Sequence, residues 1–137
     1  MFSHIMVGAN DIEASKNFYD AVLGVLGAKP GVPVPNLEGD IRYFYFLDGM
    51  IFAISEPIDG NPATHGNGST IGFKVESPQL GDAWHAAGLD NGGVNCEDAP
   101  GIRTSDMVRT SDMGSMYLAY LRDPSGNKIC ALCRIEQ

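Results

Sequence analysis

Apolar positions along this chain change period several times, and the changes recur in the same order. Phe2 to Val7 is a short apolar run bounded by Gly8 and Asn10, the pattern of a buried strand. Asp11 then stands where a helix N-cap belongs. Ala14, Phe18, Val22 and Leu26 return every fourth residue with Tyr19 beside them, which predicts a helix packed on a sheet and ended by Gly27. Residues 28–39 hold three prolines and two glycines, so any strand there is short and lies at an edge. Arg42 to Leu47 and Met50 to Ser55 predict a hairpin turning at Asp48-Gly49. Glu56 to Gly68 reads as a connecting loop. Ile71 to Val75 is the next strand. Ser77-Pro78 supplies an N-cap with proline at the first helical position, and Leu80, Ala83, Trp84 and Ala87 form the apolar stripe of a second helix. A weak strand follows Gly92-Gly93, and a last hairpin runs through Met116 to Leu121 and Asn127 to Arg134.

The order βαβββ therefore occurs twice. Ser3-His4-Ile5-Met6-Val7 is echoed by Ser69-Thr70-Ile71-Gly72-Phe73, and the hairpin ending at Ala53 by the one that reaches Cys130. A duplication of this kind predicts an α+β fold of two tandem βαβββ modules, residues 1–58 and 68–137. The strands form a curved mixed sheet around a central cup, and the helices lie on its convex face. The residues paired by the repeat, His4 with Thr70 and Ala53 with Cys130, are expected to face that one cup.

Size and charge narrow the field. A chain of 137 residues with 44% hydrophobic content suits one domain, residues 1–137, burying roughly 70% of its unfolded surface. Seventeen acidic against nine basic residues, a net charge of −8, argues against nucleic acid and anionic membrane as partners. No charged leader with an apolar core opens the sequence, and no run nears the roughly 20 apolar residues of a membrane span; a cytoplasmic location is expected. Cys96, Cys130 and Cys133 are too few for a secreted disulfide framework. Cys130 and Cys133 are spaced as C-x-x-C. On a strand, however, residues three apart point to opposite faces with Cα atoms about 10 Å apart, too far for a disulfide.

The His4 opening, the Phe18-Tyr19 pair, the stretch Gly66 to Phe73 and the run Arg122-Asp123-Pro124-Ser125-Gly126-Asn127-Lys128-Ile129 resemble the vicinal oxygen chelate superfamily, in particular its glyoxalase-like branch. That superfamily includes glyoxalases, dioxygenases and bleomycin-resistance proteins. The resemblance implies four strand positions for a divalent metal that binds vicinal oxygens of a substrate. Carried over, they are His4, Ala53, Thr70 and Cys130. Only His4 is a usual ligand there, Ala53 has no donor, and a catalytic zinc takes about three protein ligands. No cofactor is therefore expected; a metal, if present, would use His4 with Cys130, helped by His65, a loop or a partner chain. The resemblance also points Tyr120 into the cup, three residues before Asp123, and implies a homodimer.

Strand alternation extends the cup wall to Met6, Gly72 and Leu132. Tyr45, three residues before Asp48, is taken as the counterpart of Tyr120, and Tyr43 and Leu118 as lining the same wall. The expected catalytic residues are His4, Cys130 and Tyr120, with His4 as general acid/base and Cys130 as a thiol whose pKa an imidazolium would lower. Met6, Tyr43, Tyr45, Ala53, Thr70, Leu118 and Arg103 are expected to bind substrate. Arg103 and Arg109 sit in a six-residue echo that suggests a lid, and His85 is expected to face solvent. The leading function is binding of a small organic molecule in a metal-poor cup, with metal-independent lyase or isomerase chemistry as an extension. The rivals are a metal-dependent lyase or isomerase resembling lactoylglutathione lyases, and a drug-sequestering resistance protein that takes a cationic compound without turnover.

Overall fold

The computed structural model describes residues 1–103 and 114–135. The first module runs β1 (His4–Gly8), α1 (Ile12–Val25), β2 (Val32–Pro35), β3 (Ile41–Leu47) and β4 (Met50–Ser55). The second runs β5 (Ile71–Lys74), α2 (Pro78–Asp90), β6 (Val94–Asn95), β7 (Gly101–Arg103), β8 (Ser115–Arg122) and β9 (Lys128–Ile135). The second copy thus departs from βαβββ in one respect: its weak strand is split into β6 and β7, both paired with β8.

Local chemistry explains the boundaries. The Asp11 carboxylate accepts from the Ala14 N–H at 3.0 Å and Ser77 Oγ from the Leu80 N–H at 3.1 Å. Each such cap stabilises its helix by about 1 kcal/mol. Asp48 and Gly49 both have positive φ, 51° and 77°, as a two-residue hairpin turn with the twist of its strands requires. Among the described residues no helix is long and apolar enough to cross a membrane.

Among the described residues the strands form two mixed sheets and no closed barrel, in the orders β1-β4-β3-β2 and β5-β9-β8-β6. In each, one parallel pair joins the first strand to the last, β1 to β4 and β5 to β9. Phe18, Tyr19, Val22 and Leu23 of α1 and Trp84 of α2 pack with Tyr45, Phe52, Ile54, Leu121, Ile129 and Ala131 in one core that both modules share. On α2 the buried residues are Gly81, Trp84, His85 and Gly88. Ala83 is exposed, so the stripe lies one position off its predicted place, because two glycines let the helix approach β8 closely.

The modules are also tied at the β8–β9 turn. Tyr19 Oη donates to Asp123 at 2.6 Å, Asn127 Nδ2 donates to the Gly8 carbonyl at 2.9 Å, and the Asn10 N–H donates to Ser125 Oγ at 2.9 Å. Asp123 is buried and also accepts from the backbone N–H groups of Ser125 and Asn127. One carboxylate therefore shapes the turn and anchors the helix of the other module.

Each sheet turns one face to the helices and one away. Paired residues share a face, so the register assigns them. In the first sheet the rows His4–Ile51–Phe46, Met6–Ala53–Phe44 and Gly8–Ser55–Arg42 lie on the outer face. In the second sheet they are Gly72–Cys130–Tyr120, Lys74–Leu132–Leu118 and Arg103–Met116–Arg134, with Arg122 beside Lys128.

Candidate functional site

Cys130 and Tyr120 are cross-strand neighbours at the centre of the outer face of the second sheet. Leu118 and Leu132 form the next row. Cys130 and Leu118 are buried, while Tyr120 and Leu132 are half-buried. The Lys128 ammonium stands 5.0 Å above the Tyr120 ring and pairs with Glu97.

Burial pushes the Cys130 thiol up to about 11, against a smaller lowering by Lys128. Burial, then the neighbouring Cys130, raises the Tyr120 phenol. Both groups hold their protons at neutral pH, so each can donate a hydrogen bond to an oxygen. Within one chain the groups that act on the thiol are Lys128 and Glu97, with no imidazole among them.

His4 lies on the outer face of the other sheet, exposed, with Nδ1 2.8 Å from Ser3 Oγ. Met6 is 41% exposed, whereas Ala53 is fully covered between Met6 and Phe44. Thr70 is exposed just before β5. The expected pairings of His4 with Thr70 and Ala53 with Cys130 each bridge two separate sheets.

Tyr43 and Tyr45 require a correction. They sit on the helix face, where Tyr43 Oη donates to Glu13 at 2.6 Å and Tyr45 Oη donates to Asp20 at 2.8 Å, both on α1. The outer-face aromatics of β3 are Phe44 and Phe46, with the Arg42 guanidinium 5.4 Å over Phe44. Pairing the modules by strand register instead of by the turn aspartates would have found them, since Phe44 pairs with Ala53 as Tyr120 pairs with Cys130.

Arg103 is corrected as well. Its guanidinium is 9% exposed and donates to the backbone carbonyls of Asp98, Ala99, Gly101 and Leu118, so it braces β7 against β8. Arg109 and most of the expected lid lie outside the described residues. His85 does not face solvent: it is 8% exposed, with Nε2 2.8 Å from Asn95 Oδ1. His65 packs over the β8–β9 turn, so close that a Cβ at Gly126 would meet its ring at 2.6 Å.

One cavity lies on an outer face and another between the modules. The first, of about 360 Å³, lies over the outer face of the first sheet and is lined by Met6, Arg42, Ser55 and Glu56. The other, of about 450 Å³, opens between the modules among Ile5, Leu26, Tyr45, Phe52, Thr70 and Phe73, so two of the expected substrate-binding residues, Tyr45 and Thr70, line it. Neither contains His4, Cys130 or Tyr120.

The model of the glyoxalase/bleomycin resistance protein/dioxygenase superfamily matches residues 1–131. The chain belongs to that superfamily. A glyoxalase/bleomycin resistance protein from Albidiferax ferrireducens T118 is 57% identical, with a TM-score of 0.84 over 98% of this chain and 99% of that one. A glyoxalase/bleomycin resistance protein/dioxygenase family enzyme from Burkholderia phytofirmans PsJN is 16% identical, with a TM-score of 0.67 over 97% and 98%. A lactoylglutathione lyase from Agrobacterium tumefaciens is 17% identical, with a TM-score of 0.60 over 97% and 92%. These last two share the fold. No curated protein matches the sequence.

Superfamily membership raises the question of a metal at His4, Ala53, Thr70 and Cys130. Alanine offers no donor, and Thr70 offers only a neutral hydroxyl. Among the described residues no three His, Cys, Asp or Glu side chains gather into a group able to hold a metal ion. The four positions of one chain do not fit a metal, which needs about three convergent, deprotonated ligands.

Proposed function

We propose that this superfamily member binds a small organic molecule on the outer face of its strands, without a metal at the four superfamily positions. The observation that carries this reading is the Cys130–Tyr120 pair beside the Leu118–Leu132 row on one face of the β8–β9 hairpin. Two neutral donors lie next to an apolar row, which suits an apolar or aromatic body carrying a carbonyl or ether oxygen. Any turnover would use His4 as the acid/base, because it is the one histidine on the described strands.

A second copy of the chain completes the cup in this proposal. His4 and Cys130 belong to different sheets of one chain, and the outer face of the first sheet leaves Met6 41% and Phe46 57% exposed. Placing that face over the second module of a partner would cover both side chains and bring an imidazole to the thiol and phenol.

The test is a thermal-shift screen of small carbonyl and aromatic compounds on tag-free, chelator-treated protein. Hits are expected to stabilise the metal-free protein, to fail on Leu132→Glu and to be indifferent to added zinc, nickel or manganese. Hits that need a divalent ion, with about one metal per chain lost on His4→Ala, would overturn the reading in favour of a metal-dependent lyase or isomerase.

A further inference from the structure

We infer that the ligand of this outer face is a small organic anion. The inference rests on the proposed binding face and adds the charge of what it takes.

The nine strands contain six of the nine basic residues of the chain: Arg42, Lys74, Arg103, Arg122, Lys128 and Arg134. The other three are Lys16 on α1, Lys29 in the loop after it, and Arg109. None of the fourteen acidic residues among the described residues lies on a strand. In the register every one of the six cations falls on the outer face: Arg42 pairs with Ser55, Lys74 with Leu132, Arg103 and Arg134 with Met116, and Arg122 with Lys128.

The helix faces, being core, exclude charges of either sign. The outer faces impose no such restriction. In a chain where acids outnumber bases nearly two to one, an outer face without one strand carboxylate among the described residues is a segregation that packing does not require. Within the described residues, Lys128 alone of the six has a carboxylate partner, Glu97. Five of the six belong to the second sheet and flank the Cys130–Tyr120 row and the Leu118–Leu132 row on both sides.

Charges act over about 8 Å at physiological ionic strength. A ligand seated on this face therefore meets the local cations and one carboxylate, Glu97, which pairs with Lys128 and also acts on Cys130 and Tyr120, while acidic groups farther away are largely screened. An anionic group would sit toward Lys74 or Lys128, with the apolar body on Leu118, Leu132 and the Tyr120 ring. The same arrangement opposes the cationic drug that the sequestration alternative requires.

The experiment uses a matched pair of fluorescent probes, anilinonaphthalene sulfonate and phenylnaphthylamine, which share their aromatic rings and differ by the sulfonate. Each is titrated into the wild type, Lys74→Gln/Lys128→Gln and Leu132→Glu at physiological ionic strength. Both lysines are partly exposed, so the double variant keeps the core intact. The wild type is expected to bind the sulfonate about tenfold more tightly than its uncharged twin, a preference that two partly exposed cations can supply. The double variant loses that preference and keeps the twin, and Leu132→Glu loses both. Equal binding of the two probes, with both lost on Leu132→Glu, overturns the anion inference and leaves the binding face standing. Binding of both probes that survives Leu132→Glu, or binding of neither, overturns the face and the inference together.

Discussion

A Cβ built on Gly81 comes within 2.1 Å of Tyr117 Cε1, and that ring cannot swing aside because its hydroxyl donates to Asp82 at 2.7 Å. Alanine at a helix position gains about 1 kcal/mol over glycine, but forcing α2 off β8 costs roughly 1–3 kcal/mol. The steric cost wins, and Gly81→Ala is expected to lower the urea midpoint without changing the slope. Side-chain chemistry on the outer face gives a second expectation. Cys130 is 6% exposed with its thiol near 11, and Cys96 is more accessible. Iodoacetamide at pH 8 should label Cys96 first, and labelling of Cys130 should rise as the pH approaches 11, read by peptide mass spectrometry. Labelling of Cys130 ahead of Cys96 at pH 8 would show an activated thiol and restore it as a nucleophile.

Hairpins decide which face a residue occupies, and here the two modules differ. The β3–β4 turn holds two residues between Leu47 and Met50, whereas β8–β9 holds five between Arg122 and Lys128. Superposing Asp48 on Asp123 shifts β3 by one residue, and a one-residue slip exchanges the faces of a strand. That slip put Tyr43 and Tyr45 in the cup. The caps at Asp11 and Ser77, the Asp48-Gly49 turn and the edge position of β2 were legible, because each depends on a few neighbouring residues. Long-range pairs such as Tyr45 with Asp20, or Tyr19 with Asp123, leave no local signal. Asp123→Ala is expected to cost about 3 kcal/mol or more, since it strips partners from Tyr19, Ser125 and Asn127 at a buried site. Chemical denaturation read by Trp84 fluorescence checks this. A loss below about 1 kcal/mol would show that the carboxylate does not hold the modules together.

Across the whole molecule all five tyrosines have raised pKa values. Burial is the main cause for Tyr19, Tyr45, Tyr117 and Tyr120, and the hydrogen bond to Glu13 for Tyr43. Between the unfolded value of 10.0 and the higher folded values the native chain holds more protons than the unfolded one, so stability falls as pH rises. The contribution is complete below about pH 10 and is lost above it. Urea melts at pH 8 and pH 10.5 should show the drop, made smaller in Tyr45→Phe. The proposed pairing of chains makes its own prediction: sedimentation equilibrium should give twice the chain mass, and Phe46→Glu on the exposed outer face should shift it toward one. Strand β2 bears on a different property, the resistance of the protein to fibril growth. Pro33 and Pro35 alternate with Val32 and Val34 along this edge strand. Proline cannot donate to the ladder, so the valines bond β3 and the prolines occupy the positions whose amides would point to solvent. That rim therefore presents no amide hydrogens to an incoming strand. Concentrated solutions cannot seed cross-β growth there, and Pro33→Val/Pro35→Val should shorten the lag of thioflavin-monitored aggregation.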